Sequence, residues 1–289
     1  MPQRETCIVA PGLAGVRLDR AMTGLIPGSG LRLRRRLCEA GQVTVDGRAR
    51  GPGYKVRSGQ VLALLAPPTD RMADLMPQDI PELRVVERTD LFAAVYKPGG
   101  VHSAAIAGKD GLSVEAALPA LFPDAAPVLL NRLDFPTSGL LLVALGPDGA
   151  ETYRASEEAG GVRKFYLAVV HGRLDGMISV RNRLDTDDRP RTRALAEEDA
   201  DARRWTSVNA LAHDHDRDTT LVRCLIMKGA RHQIRAHLAS LDHPIVGDTL
   251  YGVPDAATGG EEIGSGPLLH LHHQRIELPG FCAQADPPW

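Results

Sequence analysis

Three stretches of this sequence carry side chains that could do chemistry. Residues 128–143 read Val-Leu-Leu-Asn-Arg-Leu-Asp-Phe-Pro-Thr-Ser-Gly-Leu-Leu-Leu-Val, which sets Asp134 and Arg132 in a polar loop between two apolar runs. A carboxylate held between rigid strands can serve as nucleophile or base. The same Asp ahead of Pro136-Thr137-Ser138-Gly139 can equally be a turn residue. The second stretch is Lys228-Gly229-Ala230-Arg231-His232-Gln233-Ile234-Arg235-Ala236-His237-Leu238. Ile234, Leu238 and Leu241 form an i, i+4, i+7 stripe that predicts a helix over 233–241. Arg235 falls about 100° from Ile234, at the edge of that stripe. A partly buried guanidinium there needs a carboxylate or phosphate partner, whereas a snorkelling arginine would need none. The third stretch, residues 164–172, places Tyr166 on a strand, where core packing is the ordinary role of a tyrosine.

The elements that must position these groups are mostly strands. Apolar runs at 83–86, 91–96, 128–130, 140–145, 164–170 and 219–227 outnumber helical segments, with no regular strand–helix alternation. That pattern predicts an α+β body over 82–289, built on a mixed or antiparallel sheet. Residues 66–81 are proline-rich and weakly patterned, as a linker is. Residues 1–65 read as a smaller α/β unit with helices at 16–25 and 30–40, the second closed by Gly41. Strands at 42–45, 54–56 and 61–64 follow, with a turn at Asp46-Gly47. In the second helix Leu33 and Leu37 share one face, and Arg32, Arg35 and Arg36 share an arc off it. Three guanidiniums on one side can follow phosphates; a solvated helix with surplus arginine is the plain alternative.

Composition narrows the class. The 289 residues are 43% apolar and 24% charged, which excludes wholesale disorder and a fibrous repeat. Net charge is −2, yet residues 16–60 hold ten basic and three acidic side chains, leaving the remainder at −9. A basic module on a more acidic body suits a polyanionic partner. Aromatic residues are only 4%, so base stacking is not expected as the main binding mode. No run approaches the ~20 apolar residues of a membrane span. The opening Met1-Pro2-Gln3-Arg4-Glu5 lacks the apolar stretch of a signal peptide. Cys7, Cys38, Cys224 and Cys282 lie far apart without a CxxC pair, as expected of reduced thiols in the cytoplasm.

Two resemblances draw these features together. Val16-Arg17-Leu18-Asp19-Arg20, the Arg-rich helix, residues 41–47 and Val56-Arg57-Ser58-Gly59-Gln60 resemble the small RNA-binding domain named after ribosomal protein S4. The larger body resembles the RluA-type pseudouridine synthases over about 200 residues. The matching motifs are Lys97-Pro98-Gly99-Gly100-Val101-His102, Arg132-Leu133-Asp134 with Thr137-Ser138-Gly139-Leu140, and the tyrosine strand at 164–172. A fourth combines residues 232–238 with His243-Pro244-Ile245-Val246-Gly247-Asp248 and Tyr251-Gly252. Departures are Asn131 where His is common, Tyr96 where Asn is common, and Gly229-Ala230-Arg231-His232 where Gly-Arg-Thr-His is common, so that one arginine is missing or shifted by a residue and Arg231 could stand where Arg235 is expected. The resemblance implies an isomerase that converts uridine in ribosomal or transfer RNA to pseudouridine without metal or other cofactor. It implies catalytic roles for Asp134, Arg235 and Tyr166, and RNA contacts from Lys97, Arg132, Arg231, His232, Arg32, Arg35 and Arg36. The expected partner is RNA, with neither DNA nor membrane, and the expected state a monomer.

Other readings are weaker. His213-Asp214-His215-Asp216 and His270-Leu271-His272-His273 lack closed zinc spacing. The glycine-rich segment 259–266 lacks the Lys-Ser/Thr of a phosphate loop. The remaining alternative is a non-catalytic RNA-binding protein on the same fold.

Overall fold

The computed structural model describes residues 6–26, 31–39, 41–65, 80–105, 113–187, 191–252, 262–263 and 266–289, without the side chains of 31–33, 36 and 262–267. The chain divides into two compact units, one from residues 1–74 with 106–110, the other from 75–105 with 111–289.

The first unit holds strands β1 (Thr6–Ile8), β2 (Val43–Val45), β3 (Arg48–Ala49) and β4 (Val61–Leu64), with helices α1 (Leu18–Ala21) and α2 (Leu31–Glu39). The strands form an antiparallel sheet in the order β1-β4-β2-β3. Leu18, Met22, Leu37, Val43, Leu62 and Leu64 pack into its core. Gly41 ends α2 in the left-handed region (φ 69°), and Leu37 O accepts the Gln42 amide there. Asp46 and Gly47 both take positive φ, as a two-residue hairpin turn demands. Two expectations are corrected. The helix expected over 16–25 is a single α turn, α1, continued by a 3-10 turn at Met22–Gly24. The strand expected at 54–56 is reduced to an isolated bridge between Arg17 and Lys55. Tyr54 O and Val56 N are instead bonded to Leu18 and Val16 of the loop entering α1.

The second unit is built on a mixed sheet of ten strands. In chain order its elements begin with β5 (Arg84–Arg88), β6 (Phe92–Lys97), α3 (Val114–Leu121), β7 (Val128–Leu129), β8 (Ser138–Ala144), α4 (Pro147–Glu158) and β9 (Arg163–His171). There follow β10 (Met177–Val180), β11 (Asn182–Asp185), β12 (Arg193–Glu198), β13 (Thr206–Asp214), β14 (Thr219–Ile226) and α5 (Gln233–Ser240). The last are β15 (Glu262–Ile263), β16 (Gly266–Pro267), β17 (Leu271–Leu278) and β18 (Phe281–Gln284). The order is β10-β13-β14-β9-β17-β8-β6-β5, with β18 on β17 and β7 on β8; β11-β12 and β15-β16 are separate hairpins. Among the strands of the described residues, only β17 and β8 pair in parallel. Alternation along β6 and β8 sends Val95, Leu141 and Val143 to a core shared with Ile234 and Leu238 of α5. Phe92, Ala94, Tyr96, Leu140 and Leu142 go to a second core on the other face. Strands covered on both faces read as unbroken apolar runs, which is why β6 and β8 are visible in the sequence. The departure at Tyr96 belongs to this second core, where Arg84 lies over its ring at 4.2 Å.

Candidate active site

Asp134 lies in the loop between β7 and β8, and that loop is stitched to the one after β6. Ser103 Oγ accepts the Leu133 amide at 2.9 Å and donates to the Leu133 carbonyl at 2.8 Å. Asn131 extends the pairing, its Oδ1 accepting the Leu142 amide at 2.6 Å and its Nδ2 donating to the Leu140 carbonyl at 3.4 Å. Gly139 sits at φ 116°, and a Cβ there would come within 2.4 Å of the His273 carbonyl oxygen. Only glycine allows β17 to approach so closely at this conformation.

Lys97 corrects the expectation that it touches RNA. It is fully buried, and its ammonium donates to the carbonyls of Pro98 (2.8 Å), Val101 (2.8 Å) and Phe135 (3.2 Å). All three donors are thus spent on the two loops. Burial pushes its pKa down to about 7, against an upward pull from Asp134.

Arg235 reaches Asp134 from α5, with Nη1 3.0 Å from Oδ2. Its fork, however, engages a different carboxylate. Nε and Nη2 donate to the two oxygens of Asp248 at 2.7 and 2.8 Å, and Asp248 is fully buried as a side chain. Asp248 also accepts the Leu250 and Tyr251 amides, which fixes it in turn. Burial opposes charge on Arg235, but the hydrogen bond and charge of Asp248, then of Asp134, hold its pKa above the ordinary arginine value. Burial likewise opposes the Asp248 carboxylate, and Arg235 keeps its pKa below the usual range. Asp248 stood inside a recognised motif, yet its role was not read, because nothing local indicates which guanidinium it faces.

The other oxygen of Asp134 faces His232, whose Nε2 is 3.9 Å away. His232 caps α5 in the left-handed region (φ 55°), and its Nδ1 is 3.1 Å from the Tyr251 hydroxyl. Burial lowers its pKa, partly opposed by Asp134. Tyr166, from β9, is buried and stacked on His273 of β17, with ring centroids 4.4 Å apart. Burial, then the charge of Asp134, raise the pKa of its hydroxyl, which keeps its proton. Arg132, Asp134, Thr137, Tyr166, His232 and Arg235 all line one cleft. A fixed carboxylate, an aromatic wall and a neutral imidazole can hold a flat base and act at the sugar beside it.

Comparison with known proteins gives the family. The family model described as RNA pseudouridylate synthase matches residues 92–240, more than half of the chain. The chain belongs to the RNA pseudouridylate synthase family. An "Uncharacterized RNA pseudouridine synthase" of Chloroflexus aurantiacus is 32% identical, over 86% of this chain and 79% of that protein. A "Ribosomal large subunit pseudouridine synthase D" of Xylella fastidiosa is also 32% identical, over 84% and 73%. In fold, the chain is similar to human RNA pseudouridylate synthase domain containing 1, with TM-score 0.57 and 23% identity, covering 73% of this chain and 84% of that one. The chain is accordingly an isomerase of the pseudouridine synthase type, on an α+β fold.

The structure distributes the remaining expected residues. Arg231 does not take the place of Arg235. Its Nη2 donates to the Thr186 carbonyl at 3.1 Å and its Nε to Thr192 Oγ1 at 3.4 Å, toward the β11–β12 hairpin. Arg132 is exposed on the cleft. In the first unit Arg35 is tied to buried Asp19 by Nε at 2.8 Å. Arg17 shares that carboxylate at 3.0 Å. The side chains of Arg32 and Arg36 lie outside the described ones.

Proposed function

We propose that the protein converts specific uridines of structured ribosomal RNA to pseudouridine, with Asp134 as the essential carboxylate. The observation that carries this is the divided environment of Asp134: Oδ2 is held by a buried, doubly paired Arg235, while Oδ1 lies opposite His232 and the side chain keeps some exposure. A guanidinium at hydrogen-bond distance fixes the direction of the carboxylate. In the reaction the N1–C1′ bond breaks, the base turns, and C5 bonds to C1′. The C5 hydrogen leaves as a proton while N1 gains one, so nothing is oxidised and no outside group is consumed.

Tyr166 forms a wall for the extruded uracil, and Arg132 and His232 meet the nucleotide at the cleft mouth. Ribosomal RNA is favoured over transfer RNA because the Xylella relative is named for the ribosomal large subunit. Unit one, read as an S4-like domain, would add phosphate contacts from Arg32, Arg35 and Arg36. Asp19 supports that use by fixing Arg17 and Arg35 while leaving each guanidinium half exposed. The same reading places the enzyme in the cytoplasm as a monomer.

The test is tritium release from ribosomal RNA labelled at uridine C5, with chelator present. Wild-type protein should release label. Asp134→Asn should release none while still binding RNA. Arg235→Lys should keep partial activity and Arg235→Ala lose nearly all. Undiminished turnover by Asp134→Asn would remove the carboxylate from its central role.

A further inference from the structure

One side chain in the loop that carries Asp134 is explained neither by burial in a core nor by the isomerisation. Phe135, the residue after Asp134, is 47% exposed, and it is the one aromatic among the large hydrophobic side chains exposed in the described residues. Phe92, Phe122 and Phe281 are all buried in the cores.

This ring is also presented on an unusually fixed frame. The Phe135 carbonyl accepts from Lys97 Nζ at 3.2 Å and from the Gly100 amide at 2.9 Å. Two residues upstream, Leu133 is held through both backbone groups by Ser103. From the facing loop His102 brings its imidazole to 4.6 Å from the phenyl centroid, at an interplanar angle of 44°. The buried lysine thus holds in place the backbone that displays an exposed phenyl ring, backed by the half-buried His102, next in the chain to the catalytic carboxylate.

We propose that Phe135, backed by His102, is a stacking platform for a nucleobase adjacent to the uridine being isomerised. The inference rests on the RNA isomerase reading of the same site. A target base must leave its stack to be reached, and the strand then has to be held open. An apolar ring fixed beside the vacated position takes up the exposed face of a neighbouring base and keeps the strand open. Such stacking tolerates any base, since each has a π-face. Phe135 would therefore act on opening and positioning rather than on choice of sequence. In a chain with so few aromatic residues, one ring rigidly placed can do this where a broad stacking surface is absent.

The experiment uses the full chain. The modified uridine is first located by pseudouridine mapping of ribosomal RNA from cells lacking the gene. A stem-loop containing it is then made with 2-aminopurine as the 5′ or the 3′ neighbour. Asp134→Asn protein should change the fluorescence at one of these neighbours on binding, and the Asp134→Asn/Phe135→Leu double variant should lose that change. In the otherwise wild-type protein, Phe135→Leu should lower kcat/KM about ten-fold, within the range of one base stack, and Phe135→Tyr should recover it. Phe135→Leu with unaltered kcat/KM, or a double variant with an unaltered fluorescence response, would overturn the platform. Failure of wild-type protein to release tritium from any ribosomal RNA would overturn the isomerase reading itself, a distinct result.

Discussion

Arg235 is buried between two carboxylates of different character. Asp248 takes the planar fork and has no exposed side-chain surface, whereas Asp134 takes a single donor and keeps 22% exposure. The fork therefore positions Arg235, and Arg235 positions Asp134. Removing the first link should disable the second. Asp248→Ala leaves a buried guanidinium with two donors unpaired, a change that costs about 3–5 kcal/mol. Urea denaturation should show that loss, and tritium release should fall at least as far as in Arg235→Lys. A variant of native stability and full activity would show that Asp134 holds Arg235 unaided. The sequence exposed Arg235 through its helical stripe and Asp134 through its loop. It hid Asp248, because the pairing depends on how the chain after α5 turns back at Gly247, where φ is 77°.

At the scale of elements, the site is a junction of loops held by strand ends. β6 delivers Lys97, β8 begins just after Thr137, β9 and β17 bring Tyr166 and His273 into register, and α5 supplies Arg235. Lys97→Met tests the clamp, because it keeps a similar volume but strands the carbonyls of Pro98 and Val101 and leaves that of Phe135 to the Gly100 amide alone. Each buried group left unsatisfied costs about 1–3 kcal/mol. Stability should drop by at least that much, and kcat should fall more than KM rises, since the loop carrying Asp134 shifts while the exposed RNA contacts remain. A change confined to KM would instead return Lys97 to the substrate. The lysine–proline motif was legible in the sequence; its burial was not. A lysine at a strand end ordinarily reads as solvated, and only the convergence of three carbonyls makes the interior tolerable.

At the scale of the molecule, the second unit stores neutral histidines. His237, His272 and His273 are fully buried, and each bonds a backbone carbonyl through one ring nitrogen: Asn182 at 2.9 Å, Ala285 at 3.0 Å and Leu140 at 2.5 Å. Burial lowers all three, His272 to about 4 and His273 to about 3, with the carbonyl bonds acting in the opposite sense. An unfolded histidine titrates near ~6.5. Between that value and the folded ones the unfolded chain binds more protons, so stability falls as pH drops below about 6.5. The urea midpoint should decline between pH 7.5 and 5, and His273→Gln should flatten that decline relative to its own value at pH 7.5. An undiminished slope would assign acid sensitivity to other groups. His272 and His273, part of the His270–His273 cluster read in sequence as a weak metal candidate, alternate along β17 into separate hydrogen bonds. What the sequence determined by itself was whatever is encoded locally: the doubly covered strands through unbroken apolar runs, the α5 face through its 3.6-residue period, the hairpin at Asp46-Gly47 and the family through motifs of fixed spacing. What only the tertiary structure decided was every pairing across distant segments. Asp248 with Arg235, Lys97 with Phe135, Ser103 with Leu133 and Tyr166 with His273 are set by strand order and register, and these depend on burying both faces of a ten-stranded sheet at once.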